Sequence, residues 1–123
     1  MTHIPSGTDT FFANQLLGRR LSGVTFVPSY VQLQFDPPPL LNVYTPMVVE
    51  SDLGKSTFGQ PEFANLAIAQ IGKTIRSVAI SDAVDLRMIF IDGSVISVSL
   101  KPDDYRGPDA IVFFGADNRF VVI

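Results

Sequence analysis

The chain writes one phrase twice. GRRLSGVTF at residues 18–26 returns as GKTIRSVAI at 72–80, 54 positions later. The match widens on both sides. FANQLLGRRLSGVTF (12–26) faces FANLAIAQIGKTIRSVAI (63–80), with three extra residues before the shared glycine. A basic residue follows each glycine, Arg19 in one half and Lys73 in the other. Val24 then matches Val78 and Phe26 matches Ile80. Val31, Leu33 and Phe35 match Leu86, Met88 and Phe90 after one inserted residue. A further insertion aligns Asp36-Pro37 with Asp92-Gly93. Repetition constrains a fold because one helix on three strands buries too little apolar area alone, whereas two such units can share a core. The alternative is coincidence, since glycine caps and alternating strands are common.

Local patterns assign the elements. In SGTDTFFANQLLG, Thr8 or Asp9 is placed to cap a helix over 9–17. Phe12 and Leu16 fall on one face of it, and Gly18 stands where a helix ends with φ > 0. Val31, Leu33 and Phe35 alternate with Gln32, Gln34 and Asp36, the period of a half-buried strand. Val24 and Phe26 mark a strand before it. A third strand is expected over 40–49, at an edge or broken because of Pro46. ESDLGKSTFGQPEF (50–63) reads as a loop.

The second helix is expected to begin with Pro61 at its first position and Glu62 near its positive end. Phe63, Leu66, Ala67 and Ile71 would line its apolar face, and Gly72 would close it. Three strands follow. Asp92-Gly93 suggests a type I′ hairpin turn, and Ile89 and Ile91 suggest a middle strand covered on both faces. Ile111–Phe114 and Phe120–Ile123 flank the turn-rich GADNR as two short strands outside the repeat. The expected fold is a single α+β domain. Two tandem α-β-β-β units (9–49 and 60–101) form a mainly antiparallel sheet core with two helices packed on it. A β-hairpin-like tail (102–123) completes it.

Composition narrows the function. The net charge of −3 is divided as −1 over residues 1–60 and −2 over 61–123, with no basic block. A nucleic-acid partner and a basic membrane-surface helix are therefore not expected. The chain has no cysteine, so no disulfide, thiolate metal site or cysteine nucleophile exists. MTHIPSGTDTFF lacks the basic and apolar regions of a secretory signal, and no apolar run reaches the ~20 residues of a membrane helix. The expected location is the cytoplasm. Charged residues make up 17% of the chain, low against a usual ~25%, so a second copy is expected to cover apolar surface in a homodimer.

No residue set spells out a chemistry. His3 is the sole histidine and sits at a terminus, where a general base is poorly held. Asp103, Asp104 and Asp109 lack the alternating acids and terminal Glu of a calcium loop, and read as solvated turn residues. Asp82, Asp85 and Asp92 are explained by turns. SDLGKST lacks the first glycine of a phosphate loop, and Ser6, Ser29, Ser51 and Ser56 have no nucleophile-elbow context. No catalytic residue, metal ligand or cofactor is assigned, and an enzyme is not expected.

The contact candidates are Tyr30, Tyr44, Tyr105 and Arg106, with Asp103 and Asp104 beside them. Tyr and Arg are enriched at binding hot spots, and 103–106 lie in a breaker-rich loop. The competing reading packs the tyrosines on the core with their hydroxyls at its edge.

The stretches YVQLQFD and ISVSLKPDDYRGPDAIVFF resemble small bacterial proteins, some of them similar to immunity-type proteins of toxin systems. The resemblance covers roughly 17–36 and 94–114 and implies a non-enzymatic cytoplasmic protein. It supplies no catalytic residues. The alternative function is small-molecule binding in a pocket between sheet and helices.

Overall fold

The computed structural model describes residues 14–36, 38–81, 83–115 and 120–122. The expected cap at Thr8 or Asp9, Phe12, His3, Ser6 and Asp82 lie outside the described residues. The protein is α+β. After a helical turn at 14–16 come strands β1 (Arg20–Val27), β2 (Tyr30–Asp36), β3 (Leu40–Val43), β4 (Met47–Ser51) and β5 (Gly54–Thr57). A helix (Phe63–Ile68) then leads into β6 (Ile75–Ser81), β7 (Asp85–Phe90) and β8 (Val95–Ser99). A single 3₁₀ turn (Pro102–Asp104) precedes β9 (Ile111–Phe114) and β10 (Phe120–Val122). Among the described residues no helix is long and apolar enough to cross a membrane.

The strands form two five-stranded antiparallel sheets. The first runs β1-β2-β3-β9-β10 and the second β5-β4-β8-β7-β6. Each half therefore builds three consecutive strands and then sends its next hairpin to the other sheet. β4–β5 joins β8, and β9–β10 joins β3. Of the two alternatives expected over 40–49, an edge strand or a broken one, the chain takes the broken one, with its two pieces in different sheets. Pro46 breaks that stretch at the point where the chain crosses between sheets. The loop expected over 50–63 is corrected, because Gly54–Thr57 pairs with Val48–Ser51. The tail is the counterpart of β4–β5 rather than an appendage. Met47 lies opposite Val98 at the start of β4, and Ile111 lies opposite Val43 at the start of β9.

The repeated phrase is where the two halves meet. The Gly18 N–H donates to the Ile75 carbonyl (3.0 Å), and the Gly72 N–H donates to the Leu21 carbonyl (2.7 Å). The Leu21 N–H donates to Lys73 (3.0 Å), and the Ile75 N–H donates to Arg19 (2.9 Å). Each bond maps onto its partner by the 54-residue shift, around an antiparallel bridge between Arg20 and Thr74. Both glycines have the positive φ that lets the chain turn into the following strand, +77° at Gly18 and +95° at Gly72. Each following strand carries a bulge at the same step, between Leu21 and Gly23 in β1 and between Ile75 and Ser77 in β6. Leu21 pairs with Phe35 and Ile75 with Phe90.

The turn after the second strand also keeps register. Phe35 N–H donates to the Pro39 carbonyl (3.0 Å) and Phe90 N–H to the Ser94 carbonyl (2.9 Å). The shift of 55 is constant there, so Asp36 corresponds to Ile91, and no second insertion is needed. The turn is a four-residue loop, 91–94, in which Gly93 alone has positive φ (+89°), instead of a type I′ pair.

Alternate residues of both sheets face one core. Val31, Leu33, Phe35, Leu41, Phe113, Met47, Leu86, Met88, Phe90, Ile96 and Val98 belong to a single buried cluster. Val24, Val78 and Ile80 pack against it half-buried. The central strand of the second sheet is β8, and β7 has one solvent-facing side, with Arg87 exposed and Ile89 half-buried. The helix Phe63–Ile68 lies over β4, β5 and β1, burying Phe63, Leu66 and Ala67. Phe63 meets Phe26 edge-on and stands beside Phe58. The helix is shorter than expected at both ends. Ser56 donates to the Pro61 carbonyl (2.7 Å), which holds Pro61 in a turn, and Glu62 takes φ +71° before the first helical residue. Ile71 falls past the last turn and is exposed.

Candidate binding site around the loop 100–110

The halves differ where the chain crosses between sheets. From β3 to β4 it crosses in three residues, Tyr44–Pro46. From β8 to β9 it takes 100–110. Paired hydrogen bonds tie the crossings together. Tyr44 N–H donates to Ala110 (2.8 Å), Ser99 N–H donates to Pro46 (3.0 Å), and the buried Thr45 hydroxyl donates to the Ser99 carbonyl (2.6 Å). Three residues suffice for the crossing, so the extra length in the second half forms a feature that the scaffold does not require.

This loop carries four of the six contact candidates, and the structure separates them. Asp103 is exposed in the 3₁₀ turn. Asp104 accepts a hydrogen bond from the Ser99 hydroxyl and borders a cleft of about 390 Å³ with Lys101, Asp85 and Val84. Tyr105 packs half-buried against the core. Arg106 is exposed and lines a second cleft of about 390 Å³ with Tyr44, Ser29, Pro108 and Asp109.

Tyr30 and Tyr44 reach this region from β2 and the end of β3. The register Val31↔Val43 places them opposite each other one step further on, and their rings lie 5.1 Å apart at 46°. Tyr44, Arg106 and Ser29 also border a narrower niche of about 70 Å³, walled by Val43, Pro46 and Phe58. None of these clefts is lined by the helix Phe63–Ile68.

No protein-family model, curated protein or solved structure matches this chain. The site is therefore read from its geometry alone.

Among the described residues, no group of three or more His, Cys, Asp or Glu is placed to hold a metal ion. Among the described residues a connected polar cluster joins Lys73 and Asp92 to Gln70 and Ser94, which sequence reasoning passed over. Gln70, fully buried, donates to the Ser94 hydroxyl (2.7 Å) and accepts from Lys73 (2.8 Å). The Ser94 amide and hydroxyl both donate to Asp92, and Lys73 pairs with Asp92 at 2.7 Å. The Lys73 ammonium, then the Ser94 hydroxyl and amide, hold the Asp92 carboxyl well below the usual carboxylate range. The Ser94 hydroxyl proton is engaged by Asp92, and the Lys73 ammonium is paired with the same carboxylate. The cluster pins the turn 91–94 to the end of the helical segment. Its one local signal was Asp92 two residues before Ser94, a side-chain turn.

The outer faces of the sheets differ in charge. The second sheet carries Glu50, Lys55, Asp85 and Arg87 along its strands. On the first, Arg20 and Asp36 are the charged outward positions, and the rest of the face presents Thr25, Tyr30, Gln32, Gln34, Leu40, Asn42, Val112, Phe114 and Val122, all uncharged. An amide belt crosses three of its strands. Gln34 donates to Thr25 (2.9 Å) and Gln32 (2.7 Å), and Gln32 donates to Asn42 (2.9 Å). The charges of this sheet sit at one corner, where Arg20 and Asp36 pair at 3.5 Å.

Proposed function

We propose that this chain is a non-catalytic protein-binding domain that pairs with a second copy of itself through the outer face of its first sheet. The observation that carries the reading is the uncharged area spanning that face, with the Arg20–Asp36 pair at one corner and Tyr30, Tyr44 and Arg106 at the other end of β2. Interface centres are depleted of charge, and Tyr and Arg are enriched among the residues that anchor them. Two copies, each of net charge −3, repel at a distance. A face whose two charges are paired with each other at one corner lets its uncharged area meet itself across a two-fold axis without like-charge contact. Its amides supply both donors and acceptors.

Five strands at ~4.8 Å spacing and about six residues at ~3.4 Å give a flat footprint of roughly 500 Å². A stable interface buries about 800 Å² per partner, so the dimer is a weak one. An immunity-like role takes the same surface to a foreign protein. Co-expression with a neighbouring toxin gene product is the test of that form.

Sedimentation velocity from about 1 μM to about 1 mM tests self-association. The expected result is a rise to twice the chain mass, abolished by Asn42→Lys, which sets two like charges at the interface. A single monomeric species at the highest concentration refutes the reading, as does an Asn42→Lys protein that still dimerises.

A further inference from the structure

We propose that the cleft beneath Arg106 binds a small zwitterion, an α-amino acid with a short branched apolar side chain. This goes beyond the pairing of copies and does not depend on it. Arg106 and Asp109 line the same cleft from one loop. Among the described residues they form no ion pair with each other or with any other side chain. Two opposite charges left unpaired in one concavity fit a ligand that carries both. A carboxylate is held by the guanidinium fork, and an ammonium by the carboxylate.

The apolar part of the ligand has its own place. The niche of about 70 Å³ is shared by Arg106 and Tyr44 with the apolar Val43, Pro46 and Phe58 and with Ser29, Thr45 and Thr57, and the Thr45 hydroxyl already donates to the Ser99 carbonyl. Its volume is about half that of a cavity of ~150 Å³ that takes benzene, which suits a few alkyl carbons but no aromatic ring. The main cleft, about 390 Å³, falls within the size range of small-ligand sites.

The position in the fold supports the assignment. Tyr44 and Pro46 belong to the short crossing, whose backbone is hydrogen-bonded to Ser99 and Ala110. The walls of the niche are thus held by the scaffold, and the charges come from the extra loop. A peptide terminus carries only one of the two charges, so the geometry favours a free amino acid.

Isothermal titration calorimetry on the full chain tests this with L-leucine as the probe, beside glycine, N-acetyl-L-leucine and L-leucinamide. L-leucine is expected to bind, and each of the other three at least tenfold more weakly. Arg106→Ala should abolish L-leucine binding. Asp109→Asn should weaken L-leucine while leaving the weak binding of N-acetyl-L-leucine unchanged. Arg106 is exposed and Asp109 half-buried in the loop, and unchanged thermal unfolding establishes that the variants fold. No heat from L-leucine at millimolar concentration overturns the proposal. So does N-acetyl-L-leucine or L-leucinamide binding as tightly as L-leucine, or L-leucine binding retained in Arg106→Ala. Sedimentation of Asp109→Asn, which leaves Tyr30, Tyr44 and Arg106 intact, reads the pairing of copies separately, so failure of one proposal is distinguishable from failure of the other.

Discussion

Emptying the two equivalent aromatic sites measures whether both halves contribute alike to the core. Phe35 is 5% exposed and Phe90 is fully buried, one in each sheet, paired with Leu21 and Ile75 beside the two bulges. A buried aromatic side chain removes about 150–250 Å² from water, and truncation to alanine forfeits most of it. At about 25 cal/mol per Å² a loss of ~150 Å² is worth ~4 kcal/mol, inside the range of about 3–5 kcal/mol for emptied Phe sites. A chain of 123 residues has roughly 6–18 kcal/mol of stability in total, so each truncation removes a large share. Urea unfolding followed by circular dichroism reads the loss. With a slope of about 2 kcal/mol per M, each midpoint should fall by about 2 M. Gln34→Ala, on the outer face, should stay within about 0.5 kcal/mol. The reasoning fails if Phe35→Ala costs under about 1 kcal/mol while Phe90→Ala costs the full amount. The two sites would then lie in unlike surroundings, whatever their register.

Thr45→Val should cost about 1–3 kcal/mol in the same urea assay, since it takes the only side-chain donor shown for the Ser99 carbonyl at the buried crossing and fills its space with a methyl group. Asp92, with its pKa lowered in the fold, contributes stability above the unfolded carboxylate value of about 3.9 and loses it as pH falls. The melting temperature of the wild type should therefore exceed that of Asp92→Asn at pH 7, and the gap should narrow below about pH 4. A gap unchanged down to pH 2 would show that the Lys73–Asp92 pair contributes nothing.

The strands were legible where burial alternates with the pleat. Val31, Leu33 and Phe35 are buried between half-buried or exposed neighbours, so period two in the sequence is period two in solvent exposure. The destination of β4 was not legible. Met47 and Val49 show the same alternation whichever sheet accepts them, and Pro46 marks an interruption without saying where the chain goes next. β5 was hidden because Gly54, Lys55 and Ser56 carry turn chemistry, and it pairs only because β4 is already placed in a sheet. Tyr44 and Arg106 were chosen for residue type. Their shared cleft arises because β9 returns to β3 across more than sixty residues of chain. Tyr105, chosen on the same ground, packs against the core, and nothing in its local sequence separates it from Arg106. Gln70 and Ser94, 24 positions apart, have no local pattern at all.

The exchange of hairpins sets the order in which the protein can be finished during its own synthesis. β3 is complete at Val43, yet its neighbour β9 begins at Ile111. At about 5–20 residues per second, the edge of β3 waits roughly 3–14 s on the ribosome for the strand that covers it. β4 and β5 wait in the same way for β8, which follows them in the chain. Neither sheet can close while only half the chain has emerged. A nascent chain therefore shows open strand edges to its neighbours on a polysome, and a hairpin from an adjacent chain has the sequence to fill them.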